Sequence, residues 1–172
     1  MLSLCSTAHR GSEGSDGTPR TGRAGAVVLL VQSDPDTLAM YADFLELYGY
    51  RCVTAGDTAD ALVRAPTADI IVTGIQIPGH IGGSDAIGDG FDFIRRLKGD
   101  SRTARVPVIV LTTNSLPTTR AKAERAGCRA FLTKPCLPGE LLFAVQRVLS
   151  SAESQDDVTR GLAKVASATG EG

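Results

Sequence analysis

Three apolar runs in this chain end on side chains able to hold an anion. Val31 leads into Gln32 and Ser33, Val106-Pro-Val-Ile-Val-Leu111 into Thr112, and Ala130-Phe-Leu-Thr133 into Lys134. Two hydroxyls and an ammonium supply donors suited to the oxygens of a small anion. A plainer role for Lys134 stays open: its stem packs while its ammonium finds Asp34 or a backbone carbonyl. A fourth run, Asp69-Ile-Ile-Val-Thr73, ends on Gly74, which brings no side chain to that edge.

The carboxylates lie elsewhere. Asp34 stands before Pro35 and reads as a helix cap. Asp69 opens its run, so roughly five residues at ~3.3 Å each put it at the opposite end of the strand. Asp85 and Asp89 sit in the stretch Gly79-His-Ile-Gly-Gly-Ser-Asp-Ala-Ile-Gly-Asp-Gly90, a loop that leaves the same edge as Gly74 and can act as surface insertion or lid. No Gly-Lys-Ser/Thr follows its glycines, which argues against a nucleotide-phosphate loop. His80 has no ligand partner at metal spacing, because the other histidine, His9, lies far upstream. The four cysteines show no CxxC pattern and read as reduced thiols.

Strand and helix signals alternate around these residues. Ala26–Val31 is a continuous apolar run of buried-strand type, followed by a helix with Leu38, Tyr41, Leu45 and Tyr48 on one face. Tyr50–Ala55 reads as a second strand, and Asp57-Thr-Ala-Asp60 opens a second helix. Strands at Asp69–Thr73, Val106–Leu111 and Arg129–Leu132 alternate with helices around Phe91–Lys98, Thr118–Ala126 and a last one carrying Leu141, Leu142, Val145, Val148 and Leu149. This order predicts an α/β fold, a doubly wound five-stranded parallel sheet with helices on both faces. The domain spans residues 25–150. Residues 1–24, rich in Gly, Ser and Thr, bury too little to offset ordering entropy and read as a disordered tail. Residues 151–172 read as a polar tail in which Val158, Leu162 and Val165 hint at a short helix.

At 172 residues with a formal net charge of -1, the chain suits one domain and is no dedicated nucleic-acid binder. Its longest apolar run is far below the ~20 residues of a membrane span. Met1–Cys5 lacks the marks of a secretory signal, so cytoplasm is the expectation.

The three motifs Asp69-Ile-Ile-Val-Thr-Gly-Ile-Gln-Ile-Pro-Gly79, Val106-Pro-Val-Ile-Val-Leu-Thr112 and Ala130-Phe-Leu-Thr-Lys-Pro135 resemble, in order and spacing, strands 3, 4 and 5 of response-regulator receiver domains. The resemblance covers residues 25–150 and implies flavodoxin-like strand order. It also implies a phosphoryl-transfer site built from a nucleophilic aspartate, two further acids that hold Mg²⁺, a hydroxyl and a lysine. The acidic pair falls on Gln32 and Ser33, and the nucleophile on Gly74; Thr112 and Lys134 keep the accessory roles. Neither amide, hydroxyl nor glycine supplies an anionic nucleophile, so neither Mg²⁺ nor any other cofactor is expected.

By the same resemblance Phe131 is the aromatic switch position. The face of the fourth helix, fifth strand and last helix is then the surface for a protein partner, either a signalling protein or a second copy. Leu137 departs from the family pattern, since Asp or Ser usually caps the last helix there. The expectation is a stand-alone, non-enzymatic signalling module that works without phosphorylation, with no effector domain after residue 150. Two alternatives stay open: a working receiver with Ser33, Thr73 or a loop acid as acceptor, and a small nucleotide- or flavin-binding protein of the same topology.

Overall fold

Strands with no polar face can be buried only between two layers, and this requirement organises the chain. The computed structural model describes residues 25–78 and 88–168. In chain order the elements are β1 (Val27–Val31), α1 (Pro35–Leu47), β2 (Arg51–Ala55), α2 (Thr58–Arg64), a 3-10 turn (Ala65–Thr67), β3 (Ile70–Thr73) and β4 (Gln76–Ile77). Then follow β5 (Gly88–Asp89), α3 (Gly90–Gly99), β6 (Val108–Thr112), α4 (Pro117–Ala126), β7 (Ala130–Thr133) and α5 (Pro138–Ala168). The main sheet is parallel throughout in the order β2-β1-β3-β6-β7. The expected doubly wound, flavodoxin-like sheet is present.

The period of two along each strand divides the core. Val28, Leu30, Ile70, Val72, Ile109 and Leu111 meet Leu38, Tyr41 and Leu45 of α1 and Leu141 and Val145 of α5. Leu29, Val31, Ile71, Val108 and Val110 face the other way, onto Ala61 of α2, Phe93, Ile94 and Leu97 of α3, and Ala123 of α4. Helix starts follow local chemistry. The Asp34 carboxylate accepts from Thr37 N–H (3.2 Å) and from the Thr37 hydroxyl. Asp57 accepts from Asp60 N–H at 2.8 Å. Leu137 offers α5 no capping side chain; instead its N–H donates to Glu140 Oε2 at 2.8 Å, half of a capping box. Asp69 lies at the amino end of the sheet, as expected, where it accepts from Val27 N–H at 2.8 Å.

Two features differ from the expected layout. The last helix does not stop near residue 150 but runs unbroken to Ala168, about 46 Å at 1.5 Å per residue. Ser151–Ala168 contains no proline and only Gly161 to weaken it, so nothing forces a stop at the domain edge. Second, β4 and β5 form a small antiparallel pair, Gln76 with Asp89 and Ile77 with Gly88, that staples the two ends of the loop. The expectations for residues 1–24, for the loop with His80 and Asp85, and for the last four residues lie outside the described residues.

The staple needs Gly90. Its N–H donates to Ile75 O at 2.7 Å, and a Cβ there would lie 2.6 Å from Gly74 O and 2.7 Å from Ile75 Cα. Both obstacles are backbone and cannot rotate away. Gly90→Ala is expected to cost about 1–3 kcal/mol in urea unfolding, the range of an overpacked site; an unchanged midpoint would mean that the approach is looser than this.

Tyr41 ties α1 to the turn after β7, its buried hydroxyl donating to Cys136 O at 2.7 Å. Burial, with the nearby Cys136 and Glu140, pushes this phenol up to about 12. Burial likewise raises the Cys52 thiol to about 12 and Cys128 to about 11. A raised folded pKa favours the neutral form, so its stabilisation is complete below the unfolded pKa and drains away as pH rises through the folded one. For Tyr41 that window runs from the usual phenol value of 10.0 to about 12. The fall in unfolding free energy across it should be shallower in Tyr41→Phe than in the parent; parallel curves would assign the loss to other groups.

Candidate functional site

Strand order reverses at β1, whose neighbours are β2 and β3, and the crevice of such a sheet lies beyond the strands' carboxyl ends. Gln32, Gly74, Thr112 and Lys134 all stand at that carboxyl edge. Gln32 follows β1, with its N–H on Ala55 O at 3.2 Å; Gly74 follows β3, with its N–H on Val31 O at 2.9 Å. Thr112 ends β6, and Lys134 follows β7, its N–H donating to Thr112 O at 2.7 Å. The ladder of parallel strands therefore gathers four residues scattered over a hundred positions of sequence.

Gln32 dominates the centre. It is 7 % exposed, and its amide lies where a side chain on residue 74 would go: a Cβ on Gly74 would sit 3.2 Å from Gln32 Oε1 and 3.4 Å from Nε2. The Lys134 ammonium donates to Gln32 Oε1 at 3.1 Å. Gln32 Nε2 donates in turn to Leu111 O, a long bond at 3.5 Å. Lys134 thus bonds a side-chain amide oxygen, whereas the plainer reading of the sequence offered Asp34 or a backbone carbonyl. Asp34 is committed to capping α1. The Thr37 hydroxyl holds its carboxyl below the usual range, with Lys134 only a minor influence.

The hydroxyls are engaged differently. Thr112 Oγ1 accepts from Asn114 N–H at 3.1 Å, which leaves its own proton to donate. The fully buried Thr73 hydroxyl donates to Gly74 O at 3.0 Å. Ser33 is exposed on the loop into α1. Of the proposed anion cluster, Thr112 and Lys134 are joined through the main chain, and Ser33 is exposed.

Phe131 is buried among the residues facing α2, α3 and α4, with the Arg120 guanidinium carbon 5.0 Å from its ring centroid. Asp89, in β5, is held in the pair with Gln76. Magnesium, the ion implied by the family, prefers carboxylate oxygens, whereas Gln32, Ser33 and Gly74 bring an amide, a hydroxyl and nothing. The residues do not fit the ion. Among the described residues no group of three or more His, Cys, Asp or Glu is placed to hold a metal.

The interplay of Gln32 and Gly74 can be measured. Gly74→Val must displace the amide and should cost about 1–3 kcal/mol in urea unfolding. In a chain that also carries Gln32→Ala the added cost should shrink, because the space is then empty. Strictly additive losses would show that Gln32 does not fill that volume.

The response regulator receiver domain family matches residues 28–146. Protein PilH of Pseudomonas aeruginosa is 31% identical over 127 residues, 73% of this chain and 98% of that relative. The phosphate regulon transcriptional regulatory protein PhoB of the same species is 30% identical, but the chain spans only 52% of its length. The structure of chemotaxis response regulator CheY4 of Vibrio cholerae superposes with a TM-score of 0.64 at 29% identity, covering 72% of this chain and 98% of that one. The receiver domain of a sensor histidine kinase from Pseudomonas aeruginosa, with a magnesium ion coordinated in its active-site cleft, gives 0.63 at 29% identity, covering 74% and 99%. On family match, relatives and fold alike, the chain belongs to the response regulator receiver domains of two-component signalling.

Proposed function

We propose that this receiver domain transmits signals through protein contacts alone and takes no phosphoryl group. The observation that carries the reading is the Gln32 amide lying over Gly74 and bonded to Lys134 at 3.1 Å. The lysine that would greet a transferred phosphoryl group already has an uncharged, internal partner. At the three positions where the family resemblance puts acids, the chain has Gln32, Ser33 and Gly74, so it lacks both the nucleophile and the ligands for Mg²⁺. No cofactor takes part in this reading, and the domain is not an enzyme.

Output then passes through the face of α4, β7 and α5 to a signalling protein. Exposed Leu116, Leu137 and Phe143 sit on or beside these elements. Work at this face suits a cytoplasmic protein, and no helix among the described residues is long and apolar enough to cross a membrane.

The test is direct. The full chain, incubated with acetyl phosphate and Mg²⁺, should keep its intact mass. An adduct of ~80 Da on the parent protein would sink the reading and reveal a non-standard acceptor. As the positive control, the combined Gln32→Asp, Ser33→Asp and Gly74→Asp chain should gain Mg²⁺ affinity and then the adduct.

A further inference from the structure

β7 is an edge strand. Among the described residues it pairs with β6 alone, in the register Ile109–Ala130 through Thr112–Thr133. Arg129 N–H donates to Val108 O at 2.7 Å. The alternation of peptide groups along a strand then turns the N–H and C=O of Ala130 and Leu132 to the open side. Such a row of unpaired groups is a template for another extended chain.

Beside this edge α5 builds the wall of a groove of about 830 Å³, formed by Phe143, Ala144, Arg147 and Val148 against Ala130 and Leu132. Phe143 is 60% exposed, with the Arg147 guanidinium carbon 5.7 Å from its ring centroid. The groove is thus an apolar trough with an aromatic wall, next to main-chain donors and acceptors. Its lining carries two arginines, Arg129 and Arg147, against one acid, Glu140, so the groove is positive on balance.

Charge selects the occupant. A second copy docking by the same face would bring two linings of net positive charge together, which like charge opposes. A partner with carboxylates meets the lining favourably. An extended backbone fits the free edge, and apolar side chains on alternate positions fit the trough.

We propose that the β7 edge and the α5 groove bind an extended acidic segment of a partner protein by strand addition. The segment's main chain pairs with Ala130 and Leu132, an apolar side chain packs on Phe143, and a carboxylate meets Arg147. The proposal rests on the reading that this face is the output surface, and it gives the partner's chemistry.

The experiment selects a phage-displayed library of random dodecapeptides on the full chain. Enriched sequences should alternate apolar residues with Asp or Glu. The best of them, made synthetically, should slow hydrogen exchange at the Ala130 and Leu132 amides. Phe143→Ala and Arg147→Glu alter exposed side chains, so both variants should fold, and each should weaken binding about tenfold or more. Peptides without acidic bias, binding indifferent to both substitutions, protection at other amides, or no enrichment would each overturn strand addition. A concentration-dependent dimer that Phe143→Ala abolishes would overturn it in favour of a second copy. None of these results bears on whether the domain is phosphorylated, which the intact-mass measurement decides separately.

Discussion

Burial of the central strands on both faces is the constraint from which the rest of this structure follows. β1, β3 and β6 are almost wholly buried, so each must have helices above and below it. Parallel pairing then sends every connection over a face of the sheet and returns every strand in the same direction. All carboxyl ends therefore meet at one edge, and Gln32, Gly74, Thr112 and Lys134 are brought there by register alone. The edge is specified by the hydrophobic pattern, independently of which polar residues occupy it. That separation lets one scaffold keep its shape while its chemistry changes.

What the edge holds is decided by electrostatics on a small scale. An ammonium at the rim of a packed sheet needs acceptors, because desolvation without them is costly. Gln32 Oε1 supplies one at 3.1 Å while the amide's other end reaches toward Leu111 O. An amide offers an acceptor and donors together, so one neutral side chain serves both Lys134 and the strand carbonyl. A carboxylate would bring a charge and no donor. Glycine at 74 is the complementary half of this arrangement, since any side chain there would contest the space that the amide fills.

Much of this was legible in the sequence, for identifiable reasons. Strands such as Val108–Thr112 declare themselves by apolar runs, and α1 and α2 by Asp34 and Asp57, since capping is local chemistry. That the family's acids fall on Gln32, Ser33 and Gly74 is what the resemblance implies, through the motifs that flank those positions. The pairing of Lys134 was not legible. Asp34 is the nearer guess by charge, but the partner is chosen by side-chain direction across two strands that are 102 positions apart. The β4–β5 staple was hidden for a similar reason: two-residue strands carry no periodicity, and only the close approach of Gly90 to Gly74 and Ile75 betrays it. The length of α5 escaped because Val158, Leu162 and Val165 form only a sparse apolar stripe, which reads as a separate short helix.

Removing acids from such an edge also changes what the domain needs from its surroundings. Carboxylates clustered in a partly buried crevice repel one another and raise each other's pKa unless a cation is bound. A scaffold built that way is coupled to the metal through its stability as well as its reactivity. In this chain the contacts at the edge close on themselves: Lys134 to Gln32, Gln32 to Leu111, and Asn114 N–H to Thr112. Asp34 satisfies α1, not the crevice. The one charge in that set of bonds is the Lys134 ammonium, and an amide oxygen meets it. The conformation of the edge is then set by packing and by internal hydrogen bonds. Lys134 follows β7 directly, so the same short stretch of chain carries both the bond to Gln32 and the strand edge beside α5.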